Sequence, residues 1–429
     1  MWSLKAKDAA SLARIVGFQY ICLPYKDMQM KNTLIIYCLS VLMTLMTGCT
    51  EAGAQDGSTA AVVLGDERTD AYFPLIEGKR IAVFSNHTGI VNGKHLVYML
   101  ADNGFDVQTI FSPEHGFSGT ADAGAAVNSS RDEQTGATIV SLYGGGNDVL
   151  NAAAMDSFDV LLIDIQDVGL RFYTYYITMC RLLSACAESD KEVVLLDRPN
   201  PNGHLVDGPI LDMKYKSGVG GLPVPVLHGM TLGELALMAN DRGWLDSEKR
   251  CKLTVIECLN YTHSTLWSLP IAPSPNLPNM TAIYLYASLC YFEATPVSVG
   301  RGTDLPFQIY GHPQMKGYDY SFTPHSKSGA QDPPQKDKLC YGVNLSTLSM
   351  DSLVHKGLDL SYVIDAYRNL SMGDKFFTSF FEKLIGVDYV RPMIERGCSA
   401  DEIRSKWQSD VEQFRKDRKP YLLYDDTEE

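Results

Sequence analysis

The chain has 429 residues, of which 45% are hydrophobic and 21% are charged, so it can bury a large core and is long enough for two or three domains. Its formal net charge of -14 and its isoelectric point near 5.1 argue against nucleic acid or an anionic membrane surface as a partner, because both require a basic face. An uncharged or sugar-like ligand fits this composition better.

The N-terminal region has the pattern of an export signal. Positions 30–48 combine Lys31, an apolar run too short to span a membrane comfortably, and small residues directly before Cys49. This pattern predicts a lipoprotein signal peptide, with Cys49 acylated; an ordinary signal peptide or a membrane anchor is the alternative. We interpret residues 1–29 as a mis-called N-terminal extension and residues 49–66 as a flexible tether. The expected location is the periplasm or cell envelope, with membrane contact only through the lipid anchor.

Seven of the ten cysteines lie beyond Cys49. An odd number without dense spacing does not make a disulfide framework, and no C-x-x-C pair suggests a metal site. Cys180 and Cys186 fall on one predicted helix, too far apart along its axis to form a bridge. The sequence therefore predicts buried thiols, and it calls for no cofactor.

Apolar segments alternate with helical patterns through the first two thirds of the chain. Such alternation predicts βαβ units, and hence an α/β, Rossmann-like doubly wound sheet in a catalytic domain over residues 67–280. The helix that follows Met230 starts with a capping box, formed by Thr231 and Glu234. The predicted strands cover 80–85, 106–111, 138–142, 159–163, 192–196 and 252–257, and the predicted helices cover 93–103, 173–188 and 231–242.

Four prolines between positions 270 and 278 prevent regular structure and mark a domain border. Beyond them the chain is rich in Tyr and Phe, and its periodicity is less regular. Residues 281–429 are predicted to form a smaller C-terminal α+β domain, with helices over 359–370 and 400–416, that completes the active-site cleft.

Polar side chains follow five of the predicted strands at the points where the strands end. In open α/β sheets, ligands bind in the crevice beyond the carboxyl ends of the strands, so these residues predict a carboxylate-rich site along one edge. The candidate binding residues there are Asn86, His87, His115, Tyr143, Asp164, Gln166, Asp167, Arg171, Tyr173, Arg198, Asn200 and His228. Each of them has a local alternative, such as capping a helix or, for Asp167 and Arg171, pairing to shape a turn.

Glu114 is the first candidate for a catalytic group. It follows Pro113 on a loop that contains Gly116 and Gly119, so its carboxyl can approach a ligand closely and be partly shielded from water. This placement suits a general acid; the alternative is a carboxylate that caps a neighbouring helix. Glu293 is the second candidate. Because Arg301 can hold a carboxylate or a sugar oxygen, a Glu293–Arg301 salt bridge is as good an interpretation as catalysis.

Rival chemistries find less support in the sequence. The first strand is not followed by Gly-x-Gly-x-x-Gly, and no Gly-x-Ser-x-Gly elbow is present, which disfavours nicotinamide chemistry and serine hydrolysis. A metal-dependent hydrolase using His87, Glu114, His115, Asp164 and Asp167 remains an alternative, although these residues lack the helical spacing of a zinc motif. Two carboxylates are the simplest machinery.

Eight ordered motifs carry a resemblance that runs from about residue 75 to the C-terminus. They are Asn86-His-Thr-Gly89, Phe111-Ser-Pro-Glu-His-Gly-Phe117, Ser141-Leu-Tyr-Gly144, Asp164-Ile-Gln-Asp-Val-Gly-Leu-Arg-Phe-Tyr-Thr174, Leu196-Asp-Arg-Pro-Asn-Pro201, His228-Gly-Met-Thr231, Pro273-Ser-Pro-Asn-Leu-Pro278 and Ser298-Val-Gly-Arg-Gly-Thr303. Together they resemble the bacterial exo-β-N-acetylmuramidases, a glycoside hydrolase family formerly known as a domain of unknown function. The resemblance implies a Rossmann-like catalytic domain, a smaller C-terminal domain, and release of N-acetylmuramic acid from the non-reducing end of peptidoglycan fragments.

The same resemblance implies roles for individual residues. Glu114 is expected to be the catalytic acid/base, and Glu293 is a second active-site group in a motif that reads Glu-Ala-Thr-Pro here instead of Glu-Gly-Thr. The muramyl saccharide substrate carries a lactyl carboxylate, for which Arg171, Arg198 or Arg301 is the expected partner. A surface lipoprotein that binds glycans without cleaving them is the alternative from another class.

Overall fold

The structure is a computed structural model that describes residues 60–114, 116–119, 130–142 and 150–426. The predicted extension, signal peptide and Cys49, and the predicted tether as far as residue 59, lie outside these ranges. Within them, no helix is both long and apolar enough to cross a membrane.

The central sheet confirms the predicted fold class. Its strand order is β5-β6-β4-β1-β7-β8-β9, and every neighbouring pair is parallel except β5 with β6. Without the short edge strand β5, the order of its strands is that of a Rossmann sheet. The strands of the molecule are β1 (Arg80–Ser85), β2 (Ile90–Val91), β3 (Lys94–His95), β4 (Asp106–Ser112), β5 (Ser130–Arg131), β6 (Thr138–Ser141), β7 (Val160–Asp164), β8 (Glu192–Leu196), β9 (Lys252–Ile256), β10 (Ile309–His312), β11 (Tyr320–Phe322) and β12 (Cys340–Asn344).

Helices cover both faces of this sheet, which explains why its strands read as almost continuous apolar runs. In β1, Ala82 and Phe84 belong to the core on one face, and Ile81 and Val83 belong to the core on the other. The helices are α1 (Thr69–Ile76), α2 (Leu96–Asp102), α3 (Ala152–Asp156), α4 (Tyr175–Glu188), α5 (Leu232–Asp241), α6 (Met280–Leu289), α7 (Met350–Val354), α8 (Ser361–Leu370), α9 (Phe380–Ile385), α10 (Val390–Glu395), α11 (Ala400–Arg404) and α12 (Gln408–Arg418).

Two predicted helices differ from the structure. The helix predicted over 93–103 begins only at Leu96, because the β2–β3 hairpin occupies the preceding residues. The helix predicted over 400–416 is divided into α11 and α12, and between them Trp407 is buried with its indole N–H donated to Asp207. The capping box at the start of α5 is confirmed: Thr231 Oγ1 accepts from the backbone of Glu234, whose carboxylate accepts from the backbone of Thr231.

The C-terminal region contains the antiparallel sheet β10-β12-β11 and helices that share one hydrophobic core with α4 and α5. Its last described residues return to the Rossmann-like sheet. Tyr424 donates its hydroxyl to Asp197 at 2.7 Å, directly after β8, and Leu423 donates its backbone N–H to Glu234 on α5 at 2.8 Å. Residues 423 and 424 are therefore hydrogen-bonded to the Rossmann-like part of the molecule.

The boundary of the tether needs a correction. Asp66 falls inside the range 49–66 that was predicted to be flexible, but its side chain is fully buried and pairs with Arg198. Just before it, Gly65 donates its N–H to the carbonyl of Asp197, in a gap so narrow that a Cβ atom would overlap that backbone. Residues 65 and 66 are therefore packed against the sheet and do not belong to a flexible tether.

The arrangement of the sheet determines where a ligand can bind. From the neighbours β1 and β7 the chain proceeds in opposite directions, to β4 on one side and to β8 on the other. Such a switch point opens a crevice beyond the carboxyl ends of the strands. The loops that leave β1, β4 and β7 carry Asn86, Glu114 and Gln166 to that edge.

Candidate active site

Glu114 lies on the loop that leaves β4, and its side chain is half-buried. Gly116 and Gly119 turn this loop with positive φ angles of 74° and 69°, a conformation that favours glycine. Thr174, the residue before α4, donates its hydroxyl to Oε2 of Glu114 at 3.3 Å instead of capping its own helix. Glu114 therefore contacts the start of a helix, as the structural alternative proposed, and yet remains accessible.

Glu293 comes from the C-terminal region, in a 3-10 turn at Cys290–Ala294 directly after α6. Its Oε1 atom accepts a hydrogen bond from Nε of Arg301 at 2.7 Å and forms an ion pair with Nη2 of the same guanidinium, also at 2.7 Å, and its Oε2 atom accepts a weak bond from the thiol of Cys290 at 3.7 Å. The salt bridge that the sequence left open has thus formed, and both oxygens of this carboxylate are held in place.

One cavity of about 450 Å³ brings the two glutamates together. Its volume is in the range of pockets that hold a small ligand. Six aromatic side chains contribute to its wall, and aromatic rings offer apolar faces against which the C–H groups of a sugar can pack. The lining residues are Glu114, Phe172, Tyr173, Thr174, Tyr175, Gly218, Val219, Ser274, Asn276, Leu277, Tyr286, Glu293, Arg301, Phe307 and Phe380.

The tyrosines beside Glu114 are fixed by hydrogen bonds. Tyr173 and Tyr175 both donate their hydroxyls to the carbonyl oxygen of Pro273, at 2.9 and 3.4 Å, and Asn86 donates its amide to the hydroxyl of Tyr175 at 3.1 Å. Burial raises the pKa of both tyrosines, so both remain protonated at neutral pH. They are hydrogen-bonding walls rather than bases.

A buried ionic cluster lies outside the cavity lining. Arg198 donates to Asp164 at 2.6 Å and also pairs with Asp66, and all three side chains are buried. Burial, followed by the nearby carboxylate of Asp164, raises the pKa of Asp66, whereas Arg198 opposes this shift. The residues of the cluster hold the start of the described chain against the ends of β7 and β8.

Family models match both halves of the chain. They are described as the N-terminal domain of exo-β-N-acetylmuramidase NamZ, over residues 81–281, and the C-terminal domain of the same protein, over residues 284–424. The chain belongs to the NamZ family. It is therefore an enzyme of the glycoside hydrolase class, as its resemblance implied.

Individual NamZ-family relatives agree with this assignment. A peptidoglycan β-N-acetylmuramidase NamZ of Bacillus subtilis is 34% identical over 420 residues, covering 92% of this chain and all of the relative. A solved DUF1343 family protein from Bacteroides fragilis is 61% identical, with a TM-score of 0.81 over 86% of this chain and all of its own. A second one from that organism is 26% identical, with a TM-score of 0.69 over 85% of this chain and 99% of its own.

Only some of the predicted site residues of this NamZ-family chain line the cavity: Glu114, Glu293, Tyr173 and Arg301. Asn86 lies one step behind the wall, through its bond to Tyr175. His87 also acts from behind, because its Nε2 donates to the carbonyl of Ala272 at 2.8 Å. His115 and Tyr143 lie outside the described residues.

Other predicted binding residues make hydrogen bonds within the protein. The guanidinium of Arg171 is buried and donates to the carbonyls of Pro209, Val224, Leu384 and Ile385, and not to Asp167, the turn partner considered for it. Its two terminal nitrogens thus satisfy peptide groups where two regions of the chain meet, while Nε is buried without a partner among the described residues. Arg198 is likewise occupied by its two aspartates.

The remaining candidates support loops. Gln166 donates to the carbonyls of Asp167 and Pro199, and Asn200 donates to that of Met230. His228 is buried, and burial together with Arg418 and Arg171 lowers its pKa to about 3, so it is neutral at physiological pH. These side chains hold the edge of the sheet in shape but do not face the cavity.

The predicted metal alternative places its ligands in different environments. Asp164 is engaged with Arg198, and His87 with the carbonyl of Ala272. Within the described part of the chain, no three His, Cys, Asp or Glu side chains come together as a metal site would require.

Sequence reasoning missed several cavity residues: Thr174, Tyr175, Ser274, Asn276, Tyr286, Phe307 and Phe380. Ser274 and Asn276 stand in the proline-rich segment that was interpreted as a domain border and counted among the family motifs, but was not assigned to the binding site. The signal for them was present, because prolines that hold a loop open next to polar side chains are also typical of a binding loop.

Proposed function

We propose that this chain is an exo-acting β-N-acetylmuramidase that releases N-acetylmuramic acid from the non-reducing end of peptidoglycan fragments. The observation that carries the proposal is the convergence of Glu114 and Glu293, which are far apart in the sequence, on one aromatic cavity of about 450 Å³. Membership of the NamZ family supports it, since the relative from Bacillus subtilis is named a peptidoglycan β-N-acetylmuramidase. A cavity of this size suits one terminal sugar better than a long glycan strand.

In this proposal, Glu114 donates the proton to the glycosidic oxygen as the bond to the anomeric carbon breaks. Positive charge then develops on the sugar ring in an oxocarbenium-like transition state. The hydroxyl of Thr174 orients the Glu114 carboxyl. Water supplies the oxygen that replaces the leaving group at the anomeric carbon, and the proton that this water releases restores Glu114 to its acid form for the next turnover.

Glu293 has a different task, because Arg301 and Cys290 hold both of its oxygens. A carboxylate fixed in this way is suited to orienting the substrate and stabilising positive charge rather than to donating a proton. We therefore assign Glu114 as the acid/base and Glu293 as the group that organises the opposite wall.

We also propose that the protein is an exported lipoprotein anchored through Cys49. The pattern of residues 30–48 supports this, and a substrate in the cell wall requires an enzyme in the envelope. Labelled fatty acid is expected to enter the full chain during growth and to be absent from Cys49→Ala. Equal labelling of both chains would contradict the anchor.

The test of the activity uses the purified full chain and two substrates that differ in leaving group. One is the 4-nitrophenyl β-glycoside of N-acetylmuramic acid, whose leaving oxygen needs little protonation. The other is a muramic acid–glucosamine disaccharide, whose leaving oxygen must be protonated as the bond breaks. Glu114→Gln is expected to lose roughly 10³-fold in kcat on the disaccharide and clearly less on the aryl glycoside. Glu192→Gln, at an exposed salt bridge with Lys79, is the matched control.

The products distinguish the mode of attack. From a longer glycan labelled at its reducing end, an exo-acting enzyme releases only monosaccharide at first, whereas an endo-acting one produces labelled short chains. If the folded wild-type protein cleaves neither substrate but binds muramyl glycans, it is a glycan-binding lipoprotein and the proposed activity is wrong.

A further inference from the structure

Among the described residues that line the cavity, Arg301 alone carries a positive charge. The two other arginines that the sequence offered for the lactyl carboxylate, Arg171 and Arg198, are buried and occupied elsewhere. The carboxyl groups of Glu114 and Glu293 therefore repel a substrate carboxylate that enters this cavity. Among the described lining residues, only the guanidinium of Arg301 can offset this repulsion.

Only one of the two hydrogen-bonding edges of the Arg301 guanidinium is occupied by a described residue. A guanidinium is planar and carries five N–H donors, which form two edges that can each bind a carboxylate with two parallel hydrogen bonds. Glu293 occupies the edge formed by Nε and Nη2. The edge formed by Nη1 and Nη2 is left, and Nη1 makes no hydrogen bond to any residue that the structure describes.

Phe307 fixes the plane of this guanidinium. The Cζ atom of Arg301 lies 4.9 Å from the centre of the Phe307 ring, and both side chains line the cavity. Phe307 has a positive φ of 55°, which is unfavourable for a bulky side chain, and its N–H is bonded to the carbonyl of Val299 at 2.8 Å. Strain of this kind persists where the surrounding structure imposes it, often at binding sites.

Pairing with Glu293 prepares Arg301 for a second anion. The salt bridge holds the side chain in one position, so little rotamer entropy is lost when a ligand binds the remaining edge. When a sugar without the lactyl group binds, the Nη1–Nη2 edge of Arg301 has no anionic partner, although the cavity is partly desolvated. A polar site discriminates against an analogue in this way when the analogue lacks the group that the site is built to bind.

We propose that the Nη1–Nη2 edge of Arg301 binds the lactyl carboxylate of N-acetylmuramic acid, while Glu293 holds the other edge in place. This inference rests on the proposed muramidase function and adds the residue that distinguishes muramic acid from glucosamine. Arg301 is then the specificity-determining residue of the cavity, and Glu293 is its positioning residue.

The test compares N-acetylmuramic acid with its lactyl carboxamide, which has almost the same shape but no charge. Both are offered as 4-nitrophenyl β-glycosides to the full chain, and both free sugars are titrated in a binding measurement that needs no turnover. Wild type is expected to prefer the carboxylate by roughly 10²-fold in kcat/KM and in affinity. Arg301→Gln is expected to lose most of this preference, so the ratio between carboxylate and carboxamide is the readout, because loss of Arg301 also releases Glu293 and lowers turnover of both glycosides.

Arg391 offers a matched control, because it pairs with Glu382 and lies over aromatic rings, but does not line the cavity. Arg391→Gln should keep the full preference. If Arg301→Gln does not fold, the inference is tested by Arg301→Lys and by the preference of wild type for carboxylate over carboxamide. Lysine keeps the positive charge but lacks the planar edge, so Arg301→Lys should have a reduced preference.

Two outcomes would overturn the inference: equal affinity of wild type for carboxylate and carboxamide, or an equal loss of both in Arg301→Gln. Failure of the proposed function is a separate result. In that case the wild type hydrolyses no muramic acid glycoside, while the binding arm still reports whether Arg301 recognises the carboxylate.

Discussion

The imidazole ring of His87 lies directly against Gly119, so closely that a Cβ atom at position 119 would overlap Nδ1, Cε1 and Cγ of the ring. On its other side, His87 donates Nε2–H to the carbonyl of Ala272. One side chain thus links the loop that carries Glu114 to the segment that carries Ser274, which are two walls of the cavity.

Gly119→Ala is expected to displace the loop that carries Glu114 and to lower kcat on the muramic acid glycoside by roughly 10-fold or more, since misplacement of a catalytic group by about 1 Å is costly. Gly78→Ala is the matched control. Its φ of 70° is almost the same as the 69° of Gly119, but a Cβ atom there meets nothing within 4 Å. Both variants should lose about 1 kcal/mol of stability from the positive φ, and Gly119→Ala should lose more because of its overlap with His87; only Gly119→Ala should lose activity. Equal activity would contradict the role of this contact.

Thr174→Val removes the hydroxyl that orients Glu114 and nearly keeps the shape of the side chain. Because one hydrogen bond to a charged or catalytic group is lost, kcat on the disaccharide should fall roughly 10-fold while the thermal unfolding midpoint changes little. Thr174→Ser retains the hydroxyl and should restore most of the rate. A valine variant with wild-type kcat would show that Glu114 is positioned by other contacts.

Arg171→Met tests the structural role of an arginine that the sequence had assigned to the substrate. Four carbonyl oxygens lose their donor, so the free energy of unfolding is expected to fall by about 3 kcal/mol or more in urea titrations. Arg250→Met, at a side chain that is 72% exposed and paired with Asp241, should change stability by no more than about 0.5 kcal/mol. If the variant is as stable as wild type and has lost only substrate affinity, Arg171 binds the substrate and the structural role is wrong.

Asp167→Asn tests a buried carboxyl group. Burial raises the pKa of Asp167 to about 7, whereas an aspartate in an unfolded chain titrates near 4. Between about pH 4 and pH 7 the folded chain holds a proton that the unfolded chain has released, so this group lowers the free energy of unfolding as the pH rises.

Asparagine cannot ionise but keeps the acceptor for the N–H of Gly169. Relative to Asp167→Asn, wild type should therefore lose up to about 1.4 kcal/mol of stability for each pH unit in this window, measured by urea unfolding. The variant Asp332→Asn, at a side chain that is 93% exposed, should run parallel to wild type. Parallel curves for Asp167→Asn would contradict the buried proton.

The sequence was sufficient for the fold because the signals were local. Each strand of the Rossmann-like sheet is an apolar run, since both of its faces are buried, and the ends of these runs located Glu114 without further information. Glu293 and Arg301 gave a weaker signal, which was equally consistent with a salt bridge, because no periodicity marks a turn after α6.

Long-range partners could not be predicted in this way. The carbonyls of Leu384 and Ile385 that bind Arg171 are more than 200 positions away in the chain, and Asp66 meets Arg198 across 132 positions. A polar residue at a strand end has the same local sequence whether it turns towards a ligand or into a buried network. Only tertiary packing separates these cases, and here it separated Arg301 from the other two arginines.

The hydrogen bond from Tyr424 to Asp197 also constrains how the protein can be made. During synthesis, Asp197 and Glu234 emerge long before Tyr424 and Leu423, the residues that bind them. The Rossmann-like half therefore cannot complete its packing until residues 423 and 424 have been synthesised.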